Sequence, residues 1–296
     1  MQRGRERVLA MLLAAGALAC GPDRLARVEE EAAGRVEAMR ERLNEARTEG
    51  RMDMPIARWE LPGGLDEVSG LAVTPDGRLF AHGDETAELY EIDYHRGIVV
   101  KRFSLGPEEV DGDFEALAIR DSTFLLLTSR GRIYEFTEGR NGERVRYSTS
   151  EPPLGRDCRE FEGMAFDGED LVFACKQARK AFGDALLLFR WRPGTRAVEH
   201  IVVPMDSVRA RVPAWEGFGA ADMTRRADTG TWLLVAGPEV GYLEVSPDGA
   251  VLGARALPGG HTQPEGIAWT PEGFLLIADE AGGGPAAITI YPGALQ

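Results

Sequence analysis

The sequence predicts an all-β protein built as a single β-propeller, and two observations predict it. First, a short phrase recurs five times: an acidic or small residue, then Gly or Ala, then a hydrophobic–Ala–hydrophobic run. Its spacing of about 46 residues, with one longer step of about 57, is typical of propeller blades. Second, short apolar runs and turn residues separate the phrases, and the chain has 36 Gly and 17 Pro. The phrases lie at residues 67–72, 113–118, 160–165, 218–221 and 263–268.

Each repeat contains the parts of a four-stranded blade. An inner strand begins at the phrase and ends in a turn rich in Pro, Asp and Gly. A near-continuous apolar run follows, as at residues 232–236, and such a run suits a strand that is buried on both faces. The alternating run at residues 133–136 predicts a third strand, and residues 98–105 and 198–203 predict outer strands.

The number of inner strands predicts five blades and a closed ring. Six blades would need a hidden repeat between Gly183 and Phe218, where the step is longest. The last blade ends after a third strand at residues 288–291, without an outer strand. Residues 55–61 precede the first blade and resemble the outer strand at residues 99–105. We therefore expect residues 55–61 to pair with the last blade, which removes the open sheet edges.

The N-terminus predicts export. Three arginines within the first seven residues precede an apolar run at residues 8–19 that is too short to span a bilayer. The run ends at Cys20 in a sequence similar to a bacterial lipobox, although Leu18 stands one place late. We expect Cys20 to carry lipid in a lipoprotein of the cell envelope, on the periplasmic side of the outer membrane; an ordinary signal cleaved near Ala19 is the alternative. The predicted divisions are a signal peptide at 1–20, a charged helical stalk at 21–52 and a propeller at 53–296.

Two local features leave alternatives open. Apolar residues recur at three- and four-residue steps between Asp23 and Glu49, which predicts an amphipathic helix. This helix could pair as a coiled coil, lie against the propeller or form a solvated stalk, and the oligomeric state stays open. Cys158 and Cys175 lie in one blade, where an exported protein could join them in a disulfide or keep them as separate thiols.

The formal net charge of −14 excludes some partners. Nucleic acids and anionic lipid surfaces need a basic footprint, so we expect no nucleic acid and no membrane contact beyond the lipid anchor. An acidic protein can bind cations, although the charge also serves solubility.

The candidate site lies at one mouth of the propeller channel. Inner strands begin and second strands end on the same face, so two sets of residues converge there. From the inner strands the expected residues are Ser69, Glu115, Glu162, Phe218 and Glu265. From the second strands and nearby turns they are His82, Asp84, Glu85, Arg130, Lys176, Glu239, His261, Asp279 and Glu280.

So many carboxylates on one rim require compensation, because two like charges about 4 Å apart repel by roughly 1 to 4 kcal/mol. A calcium ion is one answer, since calcium takes six to eight oxygen ligands. Glu115, Glu162 and Glu265, with help from Asp84 or Asp279, would supply them. The alternative is that Lys176 and Arg130 neutralise the ring and the glutamates hold the blades in register. No His or Cys cluster has the spacing of zinc ligands.

These phrases resemble the SdiA-regulated (YjiK-type) β-propeller family of bacteria, over roughly residues 55–292. The Gln-Pro-Glu-Gly sequence that contains Glu265, and the Asp279–Glu280 pair after it, carry most of the resemblance. The resemblance implies an exported or membrane-anchored propeller associated with calcium binding, for which a phytase-like activity has been suggested by similarity. Glu115, Glu162 and Glu265 correspond to inner-strand glutamates of the family. Phe218 departs from the family, which has a small polar residue there.

The sequence thus predicts a propeller that binds a cation, with calcium as the first candidate cofactor, and that has room for a small ligand at its channel. A metal-dependent hydrolase of the phytase-like or lactonase-like type is the alternative, with His82, His261 or a spare carboxylate as the base. A protein-interaction scaffold is the third possibility and would expose a large apolar patch. Whether the chain is an enzyme stays open.

Overall fold

A computed structural model describes residues 22–282 and 284–295 of the chain. The predicted signal peptide and Cys20 lie outside the described residues. Within the described ranges, the strands form five sheets, each the size of a propeller blade. The five-blade prediction is therefore confirmed: the long step near Gly183 and Phe218 contains the outer half of blade 3 and a short helix instead of a sixth blade.

Each blade is an antiparallel sheet whose strands follow one another in the chain, except for the closing strand and a short parallel strand at the edge of blade 1. The closing strand is β1 (Ala57–Glu60). Blade 1 contains β2 (Val68–Val73), β3 (Leu79–Gly83), β4 (Glu88–Asp93) and β5 (Ile98–Leu105). Blade 2 contains β6 (Phe114–Arg120), β7 (Thr123–Thr128), β8 (Ile133–Thr137) and β10 (Tyr147–Ser150), with β9 (Arg144–Val145) pairing in parallel with β5. Blade 3 contains β11 (Phe161–Asp167), β12 (Asp170–Cys175), β13 (Ala185–Trp191) and β14 (Val198–Pro204). Blade 4 contains β15 (Ala220–Arg225), β16 (Trp232–Ala236), β17 (Gly241–Val245) and β18 (Val251–Ala256), and blade 5 contains β19 (Pro264–Trp269), β20 (Leu275–Asp279) and β21 (Ala287–Tyr291).

The core lies between neighbouring blades. The apolar runs predicted as second strands are buried on both faces, and every residue of β16 and β20 is buried. Phe80 of blade 1 meets Phe124 of blade 2 edge to face, with their ring centroids 5.0 Å apart. Burial of one such ring contributes roughly 2 to 3 kcal/mol, so the packing between blades fixes the ring of sheets.

The N-terminal strand closes the ring, as predicted. Strand β1 pairs antiparallel with β21, with Ala57 opposite Ile290 and Glu60 opposite Ala287. The closing strand also carries Arg58, whose guanidinium binds Asp279 of blade 5 at 3.2 Å.

The N-terminal helix α1 (Pro22–Glu49) lies against this closure. Met39 and Ala46 are buried in the apolar cluster that contains Ile56 of the chain leading into β1. The guanidinium of Arg35 lies 5.8 Å from the ring centroid of Trp59. Of the three expected arrangements, the helix therefore takes the one in which it packs on the propeller. Among the described residues, no helix combines the length and apolar character of a membrane span.

Cys158 and Cys175 form a disulfide, with their Cα atoms 5.8 Å apart. It joins the chain before β11 to the end of β12, which decides between the two alternatives for these residues.

Candidate functional site

A β-bulge marks the same position in every inner strand. The pairing of each inner strand with its neighbour shifts by one residue and leaves that residue unpaired. A bulge bends the strand and re-aims one side chain. The bulge residues are Ser69, Glu115, Glu162, Ala221 and Glu265. The glutamates predicted from the repeat thus share one backbone device, which turns them towards the channel.

Blade 4 corrects the prediction for Phe218. The bulge of this blade lies between Ala220 and Asp222, so the ring position belongs to Ala221. Phe218 instead lies in the chain before β15, where it is buried and packs 5.7 Å from Trp215. Blade 4 still gives the ring no oxygen, because Ala221 has none. Aligning Met223 with Met164 of blade 3 would have given the correct register.

Four of the five bulge residues, all except Ala221, line a cavity of about 210 Å³ at the channel mouth. Its wall carries six carboxylates and one ammonium, and a single lining residue, Val68, is apolar. The lining residues are Glu67, Val68, Ser69, Asp84, Glu115, Glu162, Lys176, Gln263, Glu265 and Glu280. Seven predicted residues therefore meet in this cavity, and Glu67 and Gln263 were not singled out from the sequence.

Few of these carboxylates have a cationic partner. Lys176 Nζ lies 2.9 Å from Glu162 Oε1, and it is the one ammonium in the wall. Ser69 Oγ donates to Glu115 Oε2 at 3.4 Å. Gln263 donates to Glu280. One carboxylate oxygen of Asp84 is buried without a hydrogen-bond partner among the described residues.

Three glutamates of the cluster have raised pKa values, because they are buried and have little positive charge near them. Burial, followed by the charges of Glu162 and Asp113, raises the pKa of Glu115 to about 8. Burial raises the pKa of Glu265 to about 7, although Lys176 acts in the opposite direction. Burial also raises the pKa of Glu162. Near neutral pH the cavity therefore holds protons that a cation could replace.

The pKa of Lys176 is also raised, which favours the charged form of this side chain. Burial alone would lower the pKa of its ammonium, but the hydrogen bond to Glu162 and the charges of Glu162, Glu265 and Glu115 raise it overall. Lys176 is therefore a permanent counter-ion, as the ion-pair alternative predicted.

The structure does not bring Asp279 or His261 into the cavity. His261 Nδ1 lies 2.7 Å from Asp279 Oδ2, and His261 Nε2 lies 2.6 Å from the hydroxyl of Tyr291. Asp279 also binds Arg58 of the closing strand. Asp279 ends β20 but faces the buried side of blade 5, so its carboxylate serves the closure of the ring.

Four other predicted residues also lie outside the cavity. His82 is fully buried, and this burial lowers its pKa to about 4, so it stays neutral at neutral pH. Glu239 accepts the backbone N–H of Gly219 at 3.1 Å in a neighbouring cavity. Arg130 lines a separate cavity of about 550 Å³ and does not neutralise the ring, unlike Lys176. Glu85 is exposed and reaches the cluster only through its charge, which raises the pKa of Glu67 after the larger effect of Asp84.

A buried aspartate that the sequence reasoning missed lies directly after the bulge of blade 4. Asp222 Oδ2 accepts the backbone N–H of Ile267 in blade 5 at 2.9 Å and that of Leu71 in blade 1 at 3.3 Å. The equivalent residue of blade 3 is Gly163, where an added Cβ would lie 2.9 Å from Met223 N. Asp222 therefore takes a position that is Gly or Ala in the other blades and uses it to join three inner strands.

The residue types at the mouth fit a hard cation, since the cavity offers carboxylate oxygens and a hydroxyl. In their present positions, however, no three Asp, Glu, His or Cys side chains of the described ranges are arranged to hold a metal ion. A bound metal would need the glutamate side chains to converge.

Comparison with solved structures places the chain among the β-propeller proteins. The glutaminyl cyclase of Myxococcus xanthus matches with a TM-score of 0.52 at 16% identity, over 80% of this chain and 94% of the cyclase. A PQQ-bound aldose sugar dehydrogenase from Streptomyces coelicolor matches with a TM-score of 0.50 at 13% identity, over 79% of this chain and 97% of the dehydrogenase. A luciferin-regenerating enzyme matches with a TM-score of 0.50 at 10% identity, over 82% of this chain and 96% of the enzyme.

The chain is thus a five-bladed β-propeller with an acidic channel mouth. At these identities the likeness shows the fold alone, because propellers host many functions. No protein-family model matches the chain, and no curated protein matches it in sequence.

Proposed function

We propose that this propeller binds a cation at the mouth of its channel, and that calcium is the first candidate. One observation carries the proposal: six carboxylates and a single ammonium line a cavity of about 210 Å³. Two of those carboxylates, Glu115 and Glu265, have pKa values of about 8 and about 7 because they are buried among like charges. A cation would replace the protons and supply the missing positive charge.

Glu115, Glu162 and Glu265 would hold the ion, with Asp84 as a further ligand. All four line the cavity, and one oxygen of Asp84 is buried without a partner. Asp279 leaves the proposed ligand set because Arg58 and His261 already bind it. We also propose that a small ligand binds at the mouth beside the ion.

Thermal unfolding in calcium, in magnesium and in chelator tests the proposal. An ion that binds only the native state raises the free energy of unfolding by about 2.7 kcal/mol at a concentration one hundred times its Kd. For a domain of this size that is an increase of roughly 5 to 10 °C in Tm. The variant with Glu115, Glu162 and Glu265 all changed to Gln should lose the calcium-dependent increase.

A matched control carries the same three changes at exposed glutamates, Glu108→Gln, Glu109→Gln and Glu216→Gln. It should keep the full calcium response. No calcium-dependent increase in the unchanged protein, or an equal increase in the cavity variant, would remove the proposal.

A hydrolase of the phytase-like or lactonase-like type is the second candidate. The pKa of Glu115 favours it, because a carboxyl that titrates at about 8 can donate a proton near neutral pH. The hydroxyl of Ser69 lies beside this carboxyl in the cavity, with Ser69 Oγ 3.4 Å from Glu115 Oε2. Assays on phosphoesters and lactones, with and without calcium, distinguish this enzyme from a binding protein. Glu115→Gln should abolish any turnover that uses this acid.

The scaffold alternative lacks such support. The large apolar side chains that are exposed, such as Val100, Val202 and Leu252, lie on outer strands of different blades.

We also propose an exported lipoprotein of the SdiA-regulated type. The disulfide between Cys158 and Cys175 supports export, because such bonds persist in oxidising compartments. The change Cys20→Ser should move the protein from the membrane fraction to the soluble periplasm.

A further inference from the structure

A second cavity, of about 360 Å³, lies at the end of the channel opposite the acidic mouth, and we call it the lower cavity. The last residues of the five inner strands form it, together with the turns that follow them. Most of its wall is apolar and includes Phe166, Met223 and Trp269. Its volume lies within the range of about 300 to 1,000 Å³ that small-molecule sites in proteins occupy.

This cavity is separate from the acidic mouth. No described residue lines both cavities. Between them, the carboxylate of Asp222 accepts backbone N–H groups from Leu71 and Ile267 and so holds three inner strands together across the channel. A ligand in the lower cavity would therefore bind independently of a cation at the mouth.

The charge in the wall of the lower cavity comes from an arginine. Arg225 is the one charged side chain among its described lining residues. Arg225 Nε lies 3.1 Å from Asp167 Oδ1, but without an aligned hydrogen bond. Asp167 is also shared with Arg190, at 3.2 Å. Arg225 thus shares its carboxylate with Arg190, which also binds Glu199, and the Nε donor of Arg225 has no hydrogen-bond acceptor among the described residues.

Two further guanidinium groups lie over aromatic rings of the cavity wall. Arg120 lies 4.4 Å from the ring centroid of Phe166, and Arg226 lies 4.9 Å from that of Trp269. The acidic groups near them are already paired: Glu169 lies 3.8 Å from Arg120, and Asp228 and Glu244 bind Arg226. These outer charges therefore balance one another, and Arg225 remains the one charged group in the described wall of the cavity, which favours an anion over a cation.

We propose that the lower cavity binds a small apolar molecule that carries one anionic group, such as a medium-chain or aromatic carboxylate. The apolar part would fill the space beside Phe166, Met223 and Trp269, where burial removes it from water. The anion would lie at the Arg225 end, where a guanidinium can donate two parallel hydrogen bonds to a carboxylate. The acidic mouth, by contrast, would repel this class of ligand.

Calorimetric titration of the full protein with octanoate, octan-1-ol and octylammonium, each below its micelle concentration, tests the proposal. Octanoate should bind, octan-1-ol should bind at least tenfold more weakly, and octylammonium should bind more weakly still. Octanoate should also change the tryptophan fluorescence, and Trp269→Phe should remove that change while calorimetric binding persists.

Four variants complete the test. Arg225→Gln should weaken octanoate at least tenfold and leave octan-1-ol unchanged. Ala118→Phe should block both ligands by filling the cavity; Ala227→Trp, at the exposed rim, repeats this test without altering a buried strand. Glu115→Gln with Glu265→Gln should leave octanoate binding intact, so failure of the cation site and failure of this site are distinguishable. No octanoate binding, binding that both blocking variants retain, or octylammonium binding as tightly as octanoate would overturn the proposal.

Discussion

Lys176 Nζ lies 2.9 Å from Glu162 Oε1. Among the described residues, this is the only ion pair between a basic side chain and the carboxylates of the channel mouth. Lys176 directly follows Cys175, the last residue of strand β12 in blade 3, and Glu162 is the bulge residue of the same blade. The pair neutralises one carboxylate and leaves Glu115 of blade 2 and Glu265 of blade 5 with raised pKa values. Lys176 thus neutralises part of the negative charge of the acidic mouth. The carboxylates without a basic partner make the stability of the protein depend on pH.

Without added cation, the stability of the protein should fall as the pH rises from about 5 to about 8. Burial raises the pKa of Glu115 from 4.5 to about 8 in the folded protein, so the native state binds more protons than the unfolded state over this interval. Each such proton makes the free energy of unfolding decrease with pH, and after allowance for solvent screening the loss is on the order of 2 kcal/mol. Urea unfolding at both pH values measures it.

Glu115→Gln should make this pH profile less steep, because a neutral amide has no proton to lose, while Glu265, with a pKa of about 7, still contributes. Glu151→Gln, at an exposed glutamate, should leave the profile as it is. A profile that is flat in the unchanged protein, or that rises towards pH 8, would contradict the description of the mouth.

Lys176→Met should strengthen cation binding at the mouth. The change removes the resident ammonium, so an added calcium ion no longer competes with it for Glu162. We expect at least a tenfold decrease in the calcium Kd, measured by calorimetry, together with lower stability in chelator because Glu162 is then buried without a partner. Lys180→Met, outside the mouth, is the control and should change neither value. An unchanged calcium Kd in Lys176→Met would show that the ion binds elsewhere.

Asp222→Ala should destabilise the fold strongly. It leaves the backbone N–H groups of Leu71 and Ile267 buried without acceptors, at a cost of about 1 to 3 kcal/mol each. Burial raises the pKa of Asp222 well above its usual range, so the uncharged isostere Asn should cost less than Ala. Denaturant unfolding compares the two with Asp206→Ala, whose side chain is 94% exposed. Equal stability of the Ala variant and the unchanged protein would contradict the role of Asp222 in joining the blades.

The repeat pattern was sufficient to predict the fold and the closure. Apolar runs such as β16 and β20 are buried on both faces, and runs of five residues between turn residues are long enough for strands but too short for typical helices. The segment around Arg58 was recognisable because an outer strand has the same pattern wherever it stands in the chain.

The site was predictable only in part, for a physical reason. The glutamates of three blades were identified because a bulge places the same residue type at the same point of each repeat. In blade 4 the bulge carries Ala221, so the chemical signal was missing and Phe218, a core residue, was chosen instead. Asp279 ends a second strand as the pattern required, but its side chain is turned towards His261, and that pairing depends on residues outside the repeated phrase.

Loss of the disulfide should lower stability without unfolding the ring. Cys158 and Cys175 are 17 residues apart, and removing a bond that closes such a loop costs about 3 kcal/mol through the entropy of the unfolded chain. The double variant Cys158→Ser, Cys175→Ser should show this decrease in urea unfolding, and reductant should lower the unchanged protein to the same level while having no further effect on the variant. Cys175 immediately precedes Lys176, so the double variant should also change the Kd for calcium. Lys180→Met, which lies farther along the chain, should leave that Kd unchanged. Identical unfolding curves with and without reductant would contradict the bond.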